Sequence, residues 1–292
     1  MGRVLAAVAL LAGCTGSIGD ARAPEGGASG PDVEPPLAFP ETPFSPVTPV
    51  VRRLTNAELA NTLADVTSEP IAEDVLALLP AVQAEGFETV ATGQSVSEAQ
   101  ARAFQAVARL AVNTEGFARL AWQTRCERTD VECGTLLLGE LGLRLFRRPL
   151  EERELDLFLD LFLNVGAEGL SYGRAARAVG EAMIQSPPFL YLLEDERSGL
   201  PLRGFAMASR LSYLVWASAP DDALYEAAAD GRLDRPEGVL EELERLLDDP
   251  RAGRVHARFL EDWARLGKIP DEDGRKAELI ASATAFYAEH AA

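Results

Sequence analysis

The sequence predicts an all-α protein: a multi-helix globular array with one local disulfide, carried on a disordered, proline-rich N-terminal stalk. Three observations lead there. After Val51 the apolar residues recur at helical spacing, as in Phe104, Val107, Ala108 and Ala111. Breakers punctuate those runs at Ser186-Pro187-Pro188, Ser218-Ala219-Pro220-Asp221, Gly231 and Asp249-Pro250. No stretch shows the strand alternation and turn of a hairpin, so helices of about 10–16 residues joined by short loops are expected.

The chain opens with Arg3 as a positive n-region, an apolar run from Val4 to Leu11, and Leu11-Ala12-Gly13-Cys14. Eight apolar residues cannot span a bilayer, which needs about 20, but they suit the h-region of a secretory signal. The tetrad resembles a bacterial lipobox. That likeness implies cleavage after residue 13 and acylation of Cys14, so the expected partner is a membrane, reached through a lipid anchor. More than one buried acyl chain gives stable anchoring. The expected location is the periplasm or cell surface. Thr15 follows Cys14 where an Asp would signal inner-membrane retention, so the outer membrane is preferred.

The chain has three cysteines, and lipidation of Cys14 leaves Cys126 and Cys133 with six residues between them. In an oxidising compartment this pair reads as a disulfide. Two metal ligands would be the rival reading, but the only histidines, His256 and His290, are distant from them in sequence. No metal and no cofactor is therefore expected.

From Thr15 to Pro49 the chain is rich in Gly, Pro and Ala. Pro40, Pro43, Pro46 and Pro49 recur every third residue, the period of polyproline II, so this half reads as an extended spacer.

In the globular region Thr55 and Glu58 form a capping box ahead of Leu59 and Leu63. Leu155 to Leu163 (LDLFLDLFL) alternates like a strand. Pro149 followed by Glu151 and Glu152 is a helix start, and the segment is read as helix. Val239, Leu240, Leu243, Leu246 and Leu247 make a stripe opposite Glu241, Glu242, Glu244 and Arg245. Val255, Phe259, Trp263 and Leu266 mark another face. Arg203 to Ala217 is apolar nearly all round, which predicts a central helix with Arg210 buried in it. A buried guanidinium needs partners, and Glu194, Asp221 and Asp222 are the nearby carboxylates for a structural ion pair.

With 46 acidic and 28 basic residues the formal net charge is −18, which repels phosphate backbones, so no nucleic acid partner is expected. No nucleophile elbow, Walker A loop, HExxH, haem CxxCH or dinucleotide glycine fingerprint occurs. Asp271-Glu272-Asp273-Gly274 lacks the acidic spacing and closing Glu of a calcium loop. Arg147 and Arg148 sit where cations favour a helix C-terminus, which accounts for them without a ligand. No catalytic residue is nominated.

Several phrases carry a family resemblance. They are Arg52-Arg53-Leu54-Thr55-Asn56-Ala57-Glu58 with Asn61-Thr62, Leu145-Phe146-Arg147-Arg148-Pro149-Leu150, and Gln185-Ser186-Pro187-Pro188-Phe189-Leu190-Tyr191. Ala208-Ser209-Arg210-Leu211-Ser212-Tyr213 follows with Trp216, Pro220-Asp221-Asp222, Leu224, Gly231, Leu233, Asp249-Pro250-Arg251-Ala252, Phe259 and Trp263. Together they resemble the domain-of-unknown-function 1592 family, preceded by modules similar to domains 1587 and 1595. The likeness implies exported bacterial proteins built from helical modules in fixed order, some with a c-type cytochrome domain, and it implies no catalytic residue. Gly86-Phe87-Glu88-Thr89 departs from the family's usual phrase, losing an Asp and an Asn.

The organisation expected is a signal peptide at 1–13, a linker at 14–50 and a 1587-like module at 51–125. A 1595-like module at 126–198 and a 1592-like module at 199–270 follow, and 271–292 begins a truncated further module. A helical binding or assembly module of the cell envelope, meeting an envelope protein partner, is the function expected. The alternative is an enzyme or redox accessory that works with a c-type cytochrome or in extracellular polymer degradation.

Overall fold

A computed structural model describes residues 51–81, 89, 96–192, 203–263 and 275–290. The leader with Cys14, the stalk, Gly86-Phe87-Glu88, Glu194, Leu266 and Asp271 to Gly274 lie outside them, as do the side chains of His256 and His290. The described residues belong to one unit, Val47–Ala292.

Apart from one short strand pair, the regular structure of the described residues is helical, as the punctuation predicts. Its first part comprises β1 (Arg52–Arg53), α1 (Asn56–Thr67), α2 (Ala72–Leu78), α3 (Glu98–Val112) and α4 (Glu115–Trp122). Then come α5 (Val131–Leu141), a π-helical turn (Gly142–Phe146), α6 (Glu152–Ala167), α7 (Tyr172–Ile184), α8 (Pro187–Leu190) and β2 (Tyr191–Leu192). The last part holds α9 (Arg203–Trp216), α10 (Asp222–Ala229), α11 (Pro236–Leu247), α12 (Gly253–Trp263) and α13 (Lys276–His290).

Local chemistry sets the helix starts. Thr55 Oγ1 accepts from the Glu58 amide, and the Glu58 carboxylate accepts from the Thr55 amide at 2.8 Å, so the expected capping box opens α1. Ser97 and Gln100 repeat it on α3, and Glu151 and Glu154 on α6. Within α6 the alternating leucines do not share a face: Phe158 and Phe162, four apart, are buried while Leu157 is 65% exposed. That is helical rather than strand periodicity. Gly231, at φ 72°, turns the chain out of α10 in the left-handed conformation that glycine adopts without strain.

Two apolar cores result. One gathers side chains from α1 to α8, among them Leu63, Phe117, Leu138, Phe162 and Phe189. The other is built on α9, α10 and α11 around Trp216, Leu224 and Leu246. They exchange residues: Tyr213 of α9 is buried in the first core, while Leu143 of the π turn packs against the second.

Four expectations need adjustment. A two-residue antiparallel pair exists, Arg52 opposite Leu192 and Arg53 opposite Tyr191, joined by segments too short to leave an alternating pattern. On α11 the buried stripe runs Val239, Glu242, Leu243 and Leu246, so Glu242 lies inward while Leu240 and Leu247 are exposed. Positions 239, 242, 243 and 246 share one face at 3.6 residues per turn, and 240 and 247 flank it. On α12, Phe259 and Trp263 remain 47% and 69% exposed. Finally, α9 is not buried all round: Arg203, Arg210 and Leu214 lie on its exposed side.

Candidate functional site

The centre of the molecule is a buried polar junction where phrases distant in sequence meet. It begins with Arg147, which ends the π turn in a left-handed conformation (φ 61°) that is unfavourable for a residue bearing a Cβ. This turns its guanidinium inward, where the residue is 3% exposed. Nη1 donates to the Phe189 carbonyl at 3.1 Å; Nη2 donates to the carbonyls of Pro188 at 2.6 Å and Tyr191 at 2.9 Å. The fork thus grips the α8–β2 segment, where Pro187 and Pro188 open a helix of one turn that ends before the Pro188 and Phe189 carbonyls meet a helical amide. The cation also faces the rings of Phe189 and Tyr213, 5.9 and 5.6 Å from their centroids.

From Arg147 the junction continues to Tyr213 and Thr62. Arg147 Nη1 lies 3.4 Å from the Tyr213 hydroxyl, which is 2.8 Å from Thr62 Oγ1. Burial pushes the Tyr213 phenol up, so it stays protonated and serves as a hydrogen-bonding strut. Burial raises the Tyr225 phenol as well, and its hydroxyl finds no hydrogen-bond partner among the described residues. Beside them Arg53 is 3% exposed with its guanidinium over the Phe104 ring. Glu58, 4% exposed, takes a bidentate pair from Arg52 at 2.7 and 2.8 Å.

A second network frames Trp216. Its indole N–H donates to the Leu246 carbonyl at 2.9 Å, and Arg251 lies over the ring 3.4 Å from its centroid. Arg251 is held by Asp249, and a hydrogen bond from the guanidinium lowers that carboxyl to about 2. Arg245 bridges Asp221, at 2.8 and 3.0 Å, to the buried Glu242, which also receives Arg232. Asp221 caps α10 by accepting from the Leu224 amide.

These pairings bear on the ion pair expected around Arg210. Arg210 is exposed on α9, not buried, because the inward directions of that helix are taken by Tyr213 and Trp216. Asp221 engages Arg245, and Asp222 engages Arg144 at 2.6 Å. Glu194 lies outside the described residues.

Cys126 and Cys133 are joined by a disulfide with Cα atoms 5.5 Å apart, within the span such a bond tolerates. It closes the α4–α5 connection. Asp130 caps α5 by accepting from the Cys133 amide at 2.9 Å, and Thr124 lies 3.0 Å from the Tyr172 hydroxyl.

Chemically, the junction offers fixed donors and neutral phenols. Its Glu58 carboxylate is engaged by Arg52 and by the Thr55 amide. No group of three or more His, Cys, Asp or Glu side chains converges for a metal among the described residues. The sequence reading missed Arg147, treating it as a dipole-favouring helix end, and passed over Thr62, Tyr213 and Tyr225. The available signal was the phrases themselves: Thr62, Arg147, Pro188 to Tyr191 and Tyr213 all come from segments that carry the family likeness.

Fold and junction together define a protein of three helical segments locked by one shared polar centre. Comparison with family models identifies the segments. Residues 52–115 match PSD3, a protein of unknown function (DUF1587); 133–194 match PSD5 (DUF1595); and 202–289 match PSD4 (DUF1592). The three matches follow one another along the chain in this order. The DUF1592 match extends to residue 289, within α13. No curated protein and no solved structure matches the chain. Thr62, Arg147 and Tyr213 therefore come one from each domain.

Proposed function

We propose that the chain is an exported lipoprotein of the cell envelope, anchored through Cys14, whose three-domain helical unit serves as a binding or assembly module. The observation that carries this reading is the use of its cysteines. Cys126 and Cys133 are joined, and Cys14 follows an apolar run as the last residue of a Leu-Ala-Gly-Cys tetrad. Disulfides persist in oxidising compartments, which favours export. The junction supports a module that presents a fixed surface, because Arg147 fixes the α8–β2 segment and the Tyr213 hydroxyl meets both Arg147 and Thr62. The net charge of −18 favours partners of neutral or basic surface.

Metabolic palmitate labelling tests the anchor. The mature chain takes up label and sediments with membranes, and Cys14→Ser loses both. An unlabelled wild-type chain would sink the reading. Cross-linking on intact envelopes then tests the module: one recurrent envelope protein is expected, and a chain that cross-links to nothing removes the assembly role.

A further inference from the structure

We propose that the Cys126–Cys133 disulfide is a one-sided thiol-exchange site, at which an anionic thiolate attacks Cys126 and expels Cys133. The two sulfurs have different surroundings. Cys133 is 0% exposed, on the first turn of α5 next to Gly134, whose backbone lies against Leu159 and Phe162. Cys126 is only half-buried and lies in the connection between α4 and α5. A nucleophile from solvent reaches the outer sulfur first.

Arg125 precedes Cys126, and Glu127 and Arg128 follow it. Arg128 is committed to Asp130 and Glu132. Arg125, next to Cys126 in sequence, is exposed at φ 54° and makes no ion pair among the described residues. A positive side chain at a reacting sulfur favours approach of a thiolate.

The step balances simply. The incoming thiolate forms a bond to Cys126 Sγ, the Sγ–Sγ bond breaks, and its electron pair leaves on Cys133, which takes a proton from water. The product is a mixed disulfide at Cys126 and a thiol at Cys133. A second thiolate then attacks the small-molecule sulfur of the mixed disulfide and expels Cys126, which takes a proton from water, leaving two protein thiols and one small-molecule disulfide. The connection stays seated meanwhile, since Thr124 bonds Tyr172 and Thr129 packs on Gly166 independently of the sulfurs. Exchange at this site is thus compatible with the folded protein, and it does not depend on whether Cys14 is acylated.

The test uses the whole folded chain with excess glutathione, quenched in acid and mapped by peptide mass, with helical circular dichroism recorded before the quench. The expected result is glutathione on Cys126 and a free thiol at Cys133 while the helical signal is intact. Adduct on Cys133, equal adduct on both, or opening only after the helical signal is lost would each overturn the proposal. A second arm compares glutathione with cysteamine on wild type and Arg125→Glu. The substitution slows glutathione several-fold relative to cysteamine; an unchanged ratio removes the role of Arg125 and with it the preference for an anionic thiol.

Discussion

The Tyr213 hydroxyl stands 2.8 Å from Thr62 Oγ1 and 3.4 Å from Arg147 Nη1, joining the DUF1592 domain to the other two through one phenol. Because Tyr213 accepts from the guanidinium, its own proton can go to Thr62. Tyr213→Phe removes this bridge and should cost about 1 kcal/mol. Arg147→Met leaves three carbonyls without their donor and should cost about 3 kcal/mol or more. Urea unfolding followed by circular dichroism measures both. An Arg147→Met midpoint equal to wild type would show that the guanidinium does not hold the α8–β2 segment, and a Tyr213→Phe midpoint equal to wild type would show that the phenol does not join the three segments.

Two glycines should respond to alanine with opposite sign. The Cβ position of Gly116 on α4 falls on the Thr67 carbonyl at the end of α1, so Gly116→Ala must push two helices apart and should cost about 1–3 kcal/mol. Gly139 is exposed in α5 with nothing near its Cβ position, and Gly139→Ala should add about 0.5–1 kcal/mol through helix propensity. Thermal melts of the two variants decide this, and equal shifts would mean that α1 and α4 do not approach as closely as described.

Acid should release the network around Trp216. Hydrogen bonding from Arg251 holds the Asp249 carboxyl at about 2, below the usual carboxylate range near 4. A carboxyl depressed on folding contributes stability that is complete above its unfolded pKa and is lost as pH falls through the folded one. The stability gap between wild type and Asp249→Asn should therefore be constant above about pH 4 and close between about pH 4 and 2. Urea midpoints across that window are the measurement, and a gap that is still open below about pH 2 contradicts it.

Tyr225 buries a hydroxyl that has no partner among the described residues, close enough to Arg147 to feel its charge. Tyr225→Phe should raise stability by about 1 kcal/mol, since an unmet buried hydroxyl is costly. At high pH the sign is fixed by the raised phenols of Tyr213 and Tyr225. Their contribution is present below the ordinary tyrosine pKa near 10 and is lost as pH rises beyond it. Ultraviolet titration should show these two ionising together with unfolding; smooth titration of all tyrosines near pH 10 would refute it.

Helix positions were legible because their causes are local. The Thr55–Glu58 box, the Pro149-Glu151-Glu152 start and the Pro220-Asp221 stop act within one turn, and each lies where the structure starts or ends a helix. The cysteine pair was legible for a similar reason, since two thiols so close in sequence have few other partners. Burial of charge was not legible. Arg210, inside an apolar run, is exposed; Arg147, beside a helix end, is buried. Hydropathy along the chain reports a residue's neighbours in sequence, whereas a guanidinium is buried only when carbonyls or carboxylates from elsewhere surround it.

Spacing and caps by themselves determined that this chain forms short helices and where α1 and α6 begin, and the cysteine count singled out the pair that joins. Tertiary structure alone decided that Thr62, Arg147 and Tyr213 converge, and that Glu242 faces inward while Leu240 does not. The reason is range. Caps and loop closure act over a few residues, while a buried polar network exists only once three helical segments have arrived at one place.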